Sequence, residues 1–307
     1  MIHRAVPSAG GIGPGAWCLS KFSIGYVSTL KAFLAESTTP VVVIGAGRSG
    51  TTPLRAALHE HPDILMASGH SPMIPWLAKT AYHYFAGPNH SYYERNTALS
   101  AEELLSRLRD LCLDCVWNEE ELFTVTRRKQ NQLRSPEDHF GLQRWGTRAY
   151  PDQHSVLGLT SIFPGIAFIH IVRNGIEVIH SMSKYKAYRR LDFDKRCRLW
   201  AARILRDHFL GSRGDCFSIR FEDLLEHPSE VMSGVLSFLG LPPDEAPARF
   251  LSGCLVHPLD GPTIKANPLS VHKQRPPAFT RWTATERDSF RSICGRAMAL
   301  LHYPIPF

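Results

Sequence analysis

Two largely apolar runs organise the pattern of the chain. Val41 to Ile44 and Ile166 to Val172 show little polar alternation, as expected of strands buried on both faces of a parallel sheet. Each runs into a short polar turn and then into residues at helical spacing: Leu54, Ala57 and Leu58 after the first, Ile176, Ile179 and Met182 after the second. The first of these helices tolerates Pro53 in its opening turn and is predicted to stop before His61-Pro62. A third strand is predicted at Phe217 to Phe221, followed by a helix carrying Val231, Val235, Phe238 and Leu239. Ser100 with Glu103, and Thr283 with Glu286, have the spacing of capping boxes. The first opens a helix to about Val116. The second opens a last helix with Phe290, Ile293, Ala297 and Leu300 on one face. Strands alternating with helices predict a single α/β domain over residues 39–307.

Residues 1–38 break this pattern and read as a flexible arm. Gly10, Gly11, Gly13, Pro14 and Gly15 cluster, and no acidic residue precedes Glu36. Lys21 and Lys31 interrupt any apolar leader, and the basic, acid-poor composition matches a transit peptide only weakly. The 307 residues are 44% apolar and 21% charged, enough for a core without disulfides. No run approaches the roughly 20 apolar residues of a spanning helix, so an integral membrane protein is not expected. The net charge of +7 suits an anionic ligand, and nothing in the pattern singles out a nucleic acid. Seven cysteines, an odd number, point to a reducing compartment and a cytoplasmic protein. Cys112 and Cys115 form a CxxC, but no second pair completes a zinc site. With Leu104, Leu108 and Leu111 they read as free thiols on the apolar face of a helix.

The candidate chemistry starts in the turn after the first strand. Gly45 to Thr52 reads GAGRSGTT, between a buried strand and a helix, where backbone N–H groups and a helix N-terminus cradle phosphate. The spacing is that of a Walker A loop, so the fold expected is a P-loop-type parallel sheet flanked by helices. Thr51, however, stands where nucleoside triphosphatases carry lysine, and Arg48 supplies a cation inside the loop instead. The second strand ends in Arg173-Asn174-Gly175, with Ser181 two helical turns on. In a doubly wound sheet ligands collect at the carboxyl ends of the strands. Arg173 is therefore expected in the same crevice as Arg48, where its guanidinium fork suits a second phosphate.

Together these residues resemble the sulfotransferases that use 3′-phosphoadenosine 5′-phosphosulfate, nearest the branch of Golgi protein-tyrosine sulfotransferases and their bacterial relatives. The resemblance covers about Val41 to Tyr303. Arg48 to Thr52 followed by His61-Pro62 is similar to the family's 5′-phosphosulfate loop and helix, and Phe163 to Met182 to its 3′-phosphate motif. Arg220 to Pro228 and the pair Arg281-Trp282 also fit. The resemblance implies that Arg48, Ser49, Gly50, Thr51 and Thr52 hold the 5′-phosphosulfate and that Arg173 and Ser181 hold the 3′-phosphate. It implies that Phe221, often tyrosine in relatives, lies near the nucleotide. It also implies that Lys265 belongs to a loop closing over it, and that Arg148 stands where relatives carry a lysine.

Relatives in this branch usually carry a glutamate a few residues past the His-Pro pair. Asp63 to Trp76 contains none, and His70 is the nearest group able to take a proton at neutral pH. The implied reaction is in-line transfer of sulfonate to an acceptor hydroxyl or amine, with Arg48 and Arg148 as cations, His70 as base and no metal requirement. A small-molecule kinase and a non-catalytic nucleotide-binding relative are the alternatives. The acceptor and the oligomeric state are not legible. Met73 to Arg144 should shape the acceptor pocket, and Lys184, Lys186, Arg189 and Arg190 read as a solvated helix face.

Overall fold

The computed structural model describes residues 24–118, 121–122, 125–126, 141–253 and 277–307. Its centre is a five-stranded sheet in the order β2-β3-β1-β4-β5, every pairing parallel. The strands are β1 (Thr39–Gly45), β2 (Ile64–His70), β3 (Arg144–Arg148), β4 (Ala167–Val172) and β5 (Cys216–Arg220). The expected strands are β1, β4 and β5, the last starting and ending one residue earlier, so that Phe221 opens a helix.

Helices cover both faces, and the two faces bury alternate residues of each strand. Val42 and Ile44 of β1 and Phe168 of β4 pack into a core that includes residues of α1 (Ile24–Ser37), α3 (Ile74–Phe85), α5 (Ala101–Val116) and α6 (Gln153–Ile162). Between α3 and α5 lies the short α4 (His90–Asn96). Val41, Val43, Ile169 and Ile171 pack on the other side with α2 (Thr51–Glu60), α9 (Phe221–Glu226), α10 (Pro228–Phe238) and α11 (Ala246–Gly253). A third cluster joins α7 (Gly175–Lys184), α8 (Phe193–Asp207) and α12 (Ala284–Leu300) around Trp200 and Phe290. Both capping boxes form, Ser100–Glu103 on α5 and Thr283–Glu286 on α12.

Residues 24–37, expected to belong to a flexible arm, form a helix instead. α1 buries Leu30 and Leu34 completely, and Lys31 Nζ contacts Asp114 at 2.9 Å. An apolar pair four residues apart is enough to dock a short helix once a complementary face exists. Residues 1–23 lie outside the described region. The CxxC is also only half buried: Cys112 is inside, its thiol pushed up to about 12 by burial, while Cys115 is exposed. Among the described residues no helix is long and apolar enough to cross a membrane.

From β1 the chain crosses to β2 on one side of the sheet, and β4 and β5 lie on the other side. Gly45 stands opposite Ile171, and Val43 opposite Arg148. The carboxyl ends of β1, β3 and β4 therefore lie side by side, the position where open α/β sheets bind ligands.

Candidate active site

The loop after β1 turns tightly. The Ser49 N–H donates to the Ala46 carbonyl at 3.1 Å. Arg48 has φ 72° and Gly50 φ 99°, both left-handed. Glycine is required at position 50, because a Cβ there would stand 2.3 Å from Phe221 Cδ2. Gly50 also caps α2 without a side-chain bond, leaving the amides of the first turn pointing at the crevice. Ser49 is fully buried, and its hydroxyl has no partner among the described residues.

Three arginines converge here. Arg48 Nε donates to Ser181 Oγ at 3.2 Å. Arg173 Nη1 donates to the Arg48 carbonyl at 3.1 Å, and its guanidinium lies 4.4 Å from the Phe221 ring centre. Arg148 Nη1 donates to Thr52 Oγ1 at 2.6 Å. Burial lowers the pKa of all three below the ordinary arginine value, yet a guanidinium stays charged. For Arg173 the fields of Glu177 and Glu222 oppose that lowering. Among the described residues, no carboxylate comes within ion-pairing distance of Arg48, Arg148 or Arg173. Desolvated cations without counter-charge are costly, and an anion entering the crevice offsets that cost.

The structure thus brings together the loop after β1, Arg148, Arg173 and Ser181. Phe221 is buried and packs between Gly50 and Arg173; it supports the arginine from below. His70 ends β2 in register with Arg148, is exposed, and lies edge-on to Tyr150 at 5.8 Å. Lys265 lies outside the described residues. Lys184, Lys186, Arg189 and Arg190 are exposed, as expected, but Lys186 to Arg190 form a turn after α7 and not a helix face.

That turn also brings side chains that the sequence reading did not single out. Arg48 lies over the Tyr185 ring at 4.4 Å, and the Tyr188 hydroxyl abuts Gly47 so closely that a Cβ there would meet it at 2.3 Å. Tyrosines beside a run of lysines and arginines carry no spacing signal. Glu222 was likewise missed as a support. It accepts from the Asn174 N–H at 3.0 Å and from the Tyr303 hydroxyl at 2.6 Å, tying the end of β4 to the carboxyl terminus.

A family model described as "Sulfotransferase family" matches residues 40–245. The chain belongs to the sulfotransferase family. It is 24% identical over 215 residues to a protein-tyrosine sulfotransferase of Drosophila melanogaster, an alignment covering 67% of this chain and 39% of that one. It is 26% identical over 221 residues to protein-tyrosine sulfotransferase 1 of Danio rerio, covering 70% and 57%. The chain thus spans about half the length of these curated relatives. Among solved structures, the sulfotransferase domain of the Synechococcus PCC 7002 olefin synthase is 19% identical with a TM-score of 0.46, covering 88% of this chain and 97% of that one. Mouse sulfotransferase SULT7A1 complexed with PAP is 12% identical with a TM-score of 0.48, covering 92% and 94%.

Proposed function

We propose that this sulfotransferase takes its sulfonate from 3′-phosphoadenosine 5′-phosphosulfate and passes it to a hydroxyl or amine acceptor. The observation that carries the reading is the set of three desolvated arginines with no ion-pairing carboxylate near them among the described residues. Arg48 sits in the loop after β1, Arg173 at the end of β4 and Arg148 at the end of β3. A ligand with phosphates at both ends of a nucleoside answers two of these cations at once. Arg48, Ser49, Gly50, Thr51 and Thr52 would hold the 5′ group, and Arg173 with Ser181 the 3′-phosphate. Phe221 keeps Arg173 in place, and Lys265 would add a cation from outside the described residues.

The chemistry asks for position and charge more than for covalent help. Arg48 and Arg148 would steady the charge growing on the leaving phosphate oxygen, and His70 would accept the acceptor proton. Arg148 already bonds Thr52 and so moves with the loop. Side-chain cations of this kind support transfer without a metal ion. The curated relatives act on protein tyrosine, so a tyrosyl peptide is the first acceptor to try, with simple phenols and sugars beside it. The odd number of cysteines supports a cytoplasmic setting.

Calorimetry tests the donor half of the reading. Tight binding of 3′,5′-adenosine bisphosphate with much weaker binding of AMP supports it. Preference for ATP with Mg²⁺ would favour a kinase, a reading already opposed by Thr51 at the lysine position. Turnover on the acceptor panel separates an enzyme using this donor from a nucleotide-binding relative.

A further inference from the structure

Ser68, near the end of β2, is gripped from two sides. Its backbone N–H donates to Glu121 Oε1 at 2.6 Å, and its hydroxyl donates to Glu121 Oε2 at 2.9 Å. From the other side Arg148 Nη2 donates to the Ser68 carbonyl at 3.4 Å and Arg148 Nε to the Gly69 carbonyl at 3.4 Å. The same guanidinium reaches Thr52 of the phosphate loop through Nη1. A hydrogen-bonded chain thus runs Glu121, Ser68, Arg148, Thr52.

This grip falls where the strand is irregular. The pairing of β2 with β3 shifts register between Met66 and His70. At such a shift the ladder is locally broken; it is interrupted over residues 67–69 and resumes at His70, opposite Arg148. Gly69 adds its own freedom, since a Cβ there would meet nothing within 4 Å. Side chains therefore hold the segment where ladder bonds do not. Two bonds to one side chain, from the Ser68 N–H and from its hydroxyl, fix both the backbone and the rotamer of Ser68.

Glu121 is itself well held. Asn118 Oδ1 accepts its backbone N–H at 2.7 Å, and the Asn118 carbonyl accepts from the Leu122 N–H at 2.9 Å. Trp117 and Leu122 on either side are buried. A glutamate thus reaches the β2 end from 53 positions beyond Ser68.

We propose that Glu121 is a positioning residue for sulfonate transfer: through Ser68 it aims the irregular end of β2, and with it His70, at the crevice that Arg148 lines. Glu121 acts through Ser68 and does not touch the reactants. The proposal rests on the reading of the crevice as a nucleotide site and of His70 as its base.

The test uses the full chain and its Glu121→Ala, Glu121→Gln and Ser68→Ala variants, with 3′,5′-adenosine bisphosphate as the probe. Three things are read: bisphosphate affinity by calorimetry, amide hydrogen exchange at Ser68 to His70, and the His70 imidazole resonance, assigned with His70→Gln, as the bisphosphate is added. In the wild type the His70 signal moves on binding. Glu121→Ala should keep bisphosphate affinity within about threefold, speed exchange at Ser68 by about tenfold or more, and abolish the His70 response. Glu121→Gln, whose amide oxygen still accepts from the Ser68 N–H, should restore most of both, and Ser68→Ala should fall between. An unfolded Glu121→Ala variant shows itself by lost bisphosphate affinity, and the Gln and Ser68 variants then decide. The proposal is overturned if Glu121→Ala leaves exchange and the His70 response as in the wild type. It is equally overturned if Glu121→Gln fails as badly as Ala, because charge and not placement would then be at work. Absence of any bisphosphate binding by the wild type refutes the donor reading and the assigned target of the aim; the exchange data then show separately whether Glu121 holds β2.

Discussion

Arg173 Nη1 and the carbonyl oxygen of Arg48 meet at 3.1 Å although the two residues are 125 positions apart. The bond joins the end of β4 to the left-handed turn of the loop after β1. It ties together two elements that arise far apart in the chain, and it uses one donor of Arg173 on the protein itself. The remaining guanidinium donors are available to a ligand.

Arg173→Ala should therefore weaken 3′,5′-adenosine bisphosphate far more than AMP. A charge-assisted contact is worth about 1.5–3 kcal/mol, so at least a tenfold loss is expected for the bisphosphate and little change for the monophosphate. Titration calorimetry of both nucleotides on the variant gives the ratio. Equal losses would mean that Arg173 only braces the loop.

His70→Ala should lower kcat by about 10²–10⁴-fold with bisphosphate affinity near that of the wild type. His70 is exposed at the end of β2, level with Arg148, so its removal empties no core. A variant that retains most of its turnover would rule out His70 as the base.

Gly50→Ala should destabilise the fold by roughly 1–3 kcal/mol and damage nucleotide binding. The new Cβ would meet the Phe221 ring at 2.3 Å in a backbone of φ 99°. Phe221→Leu in the same chain should relieve the collision but not the backbone strain. Denaturant melts of the single and double variants separate the two contributions.

His170 gives the protein an acid-sensitive point away from the crevice. The residue is 6% exposed. Burial, with Arg203 nearby, pushes its pKa down to about 4. Asp207, 4.0 Å away, is pushed up to about 6 by burial, against the pull of Arg203. Ser218 faces the other ring nitrogen at 3.5 Å, and His208, His227, His302, Asp223 and Glu230 line the same cavity of about 780 Å³. The folded state binds His170's proton less well than the unfolded chain, so His170 costs stability as pH falls from about 6.5 to 4. Asp207 works in the opposite sense over that window. Comparing wild type with His170→Gln isolates the histidine. The difference in unfolding free energy should shift toward the variant by about 3 kcal/mol on acidification. A difference that does not vary with pH would refute this account.

What could be read from the chain followed the strength of local signals. β1 and β4 announce themselves because strands covered on both faces are apolar throughout. The boxes at Ser100 and Thr283 are local by nature, and both form. β2 and β3 escaped. β2 follows directly on His61-Pro62 and ends in polar residues. β3 is Arg-Trp-Gly-Thr-Arg, and its glycine is there for a tertiary reason, since a Cβ at Gly146 would stand 2.5 Å from the Met66 sulfur and 2.6 Å from the Val41 carbonyl oxygen. In the site, Arg48, Arg173 and Ser181 were legible because strand ends concentrate ligands. Glu121, Tyr185, Tyr188 and Glu222 act across long separations or from an irregular turn, and no spacing encodes such meetings.

The helix Ile24–Ser37 has a practical corollary for anyone handling this protein. The glycine-rich start invites a shortened chain beginning at the first strand, near residue 39. Such a chain would lack Leu30 and Leu34, which are wholly enclosed by the cluster containing Leu108, Cys112 and Val116. It would open a greasy slot beside α5 and strip Asp114 of its lysine. Two buried leucines are worth about 3–6 kcal/mol, a large share of what holds a typical domain together. Clumping, dye uptake and poor yield from such a chain would then reflect a missing plug and not a faulty catalyst.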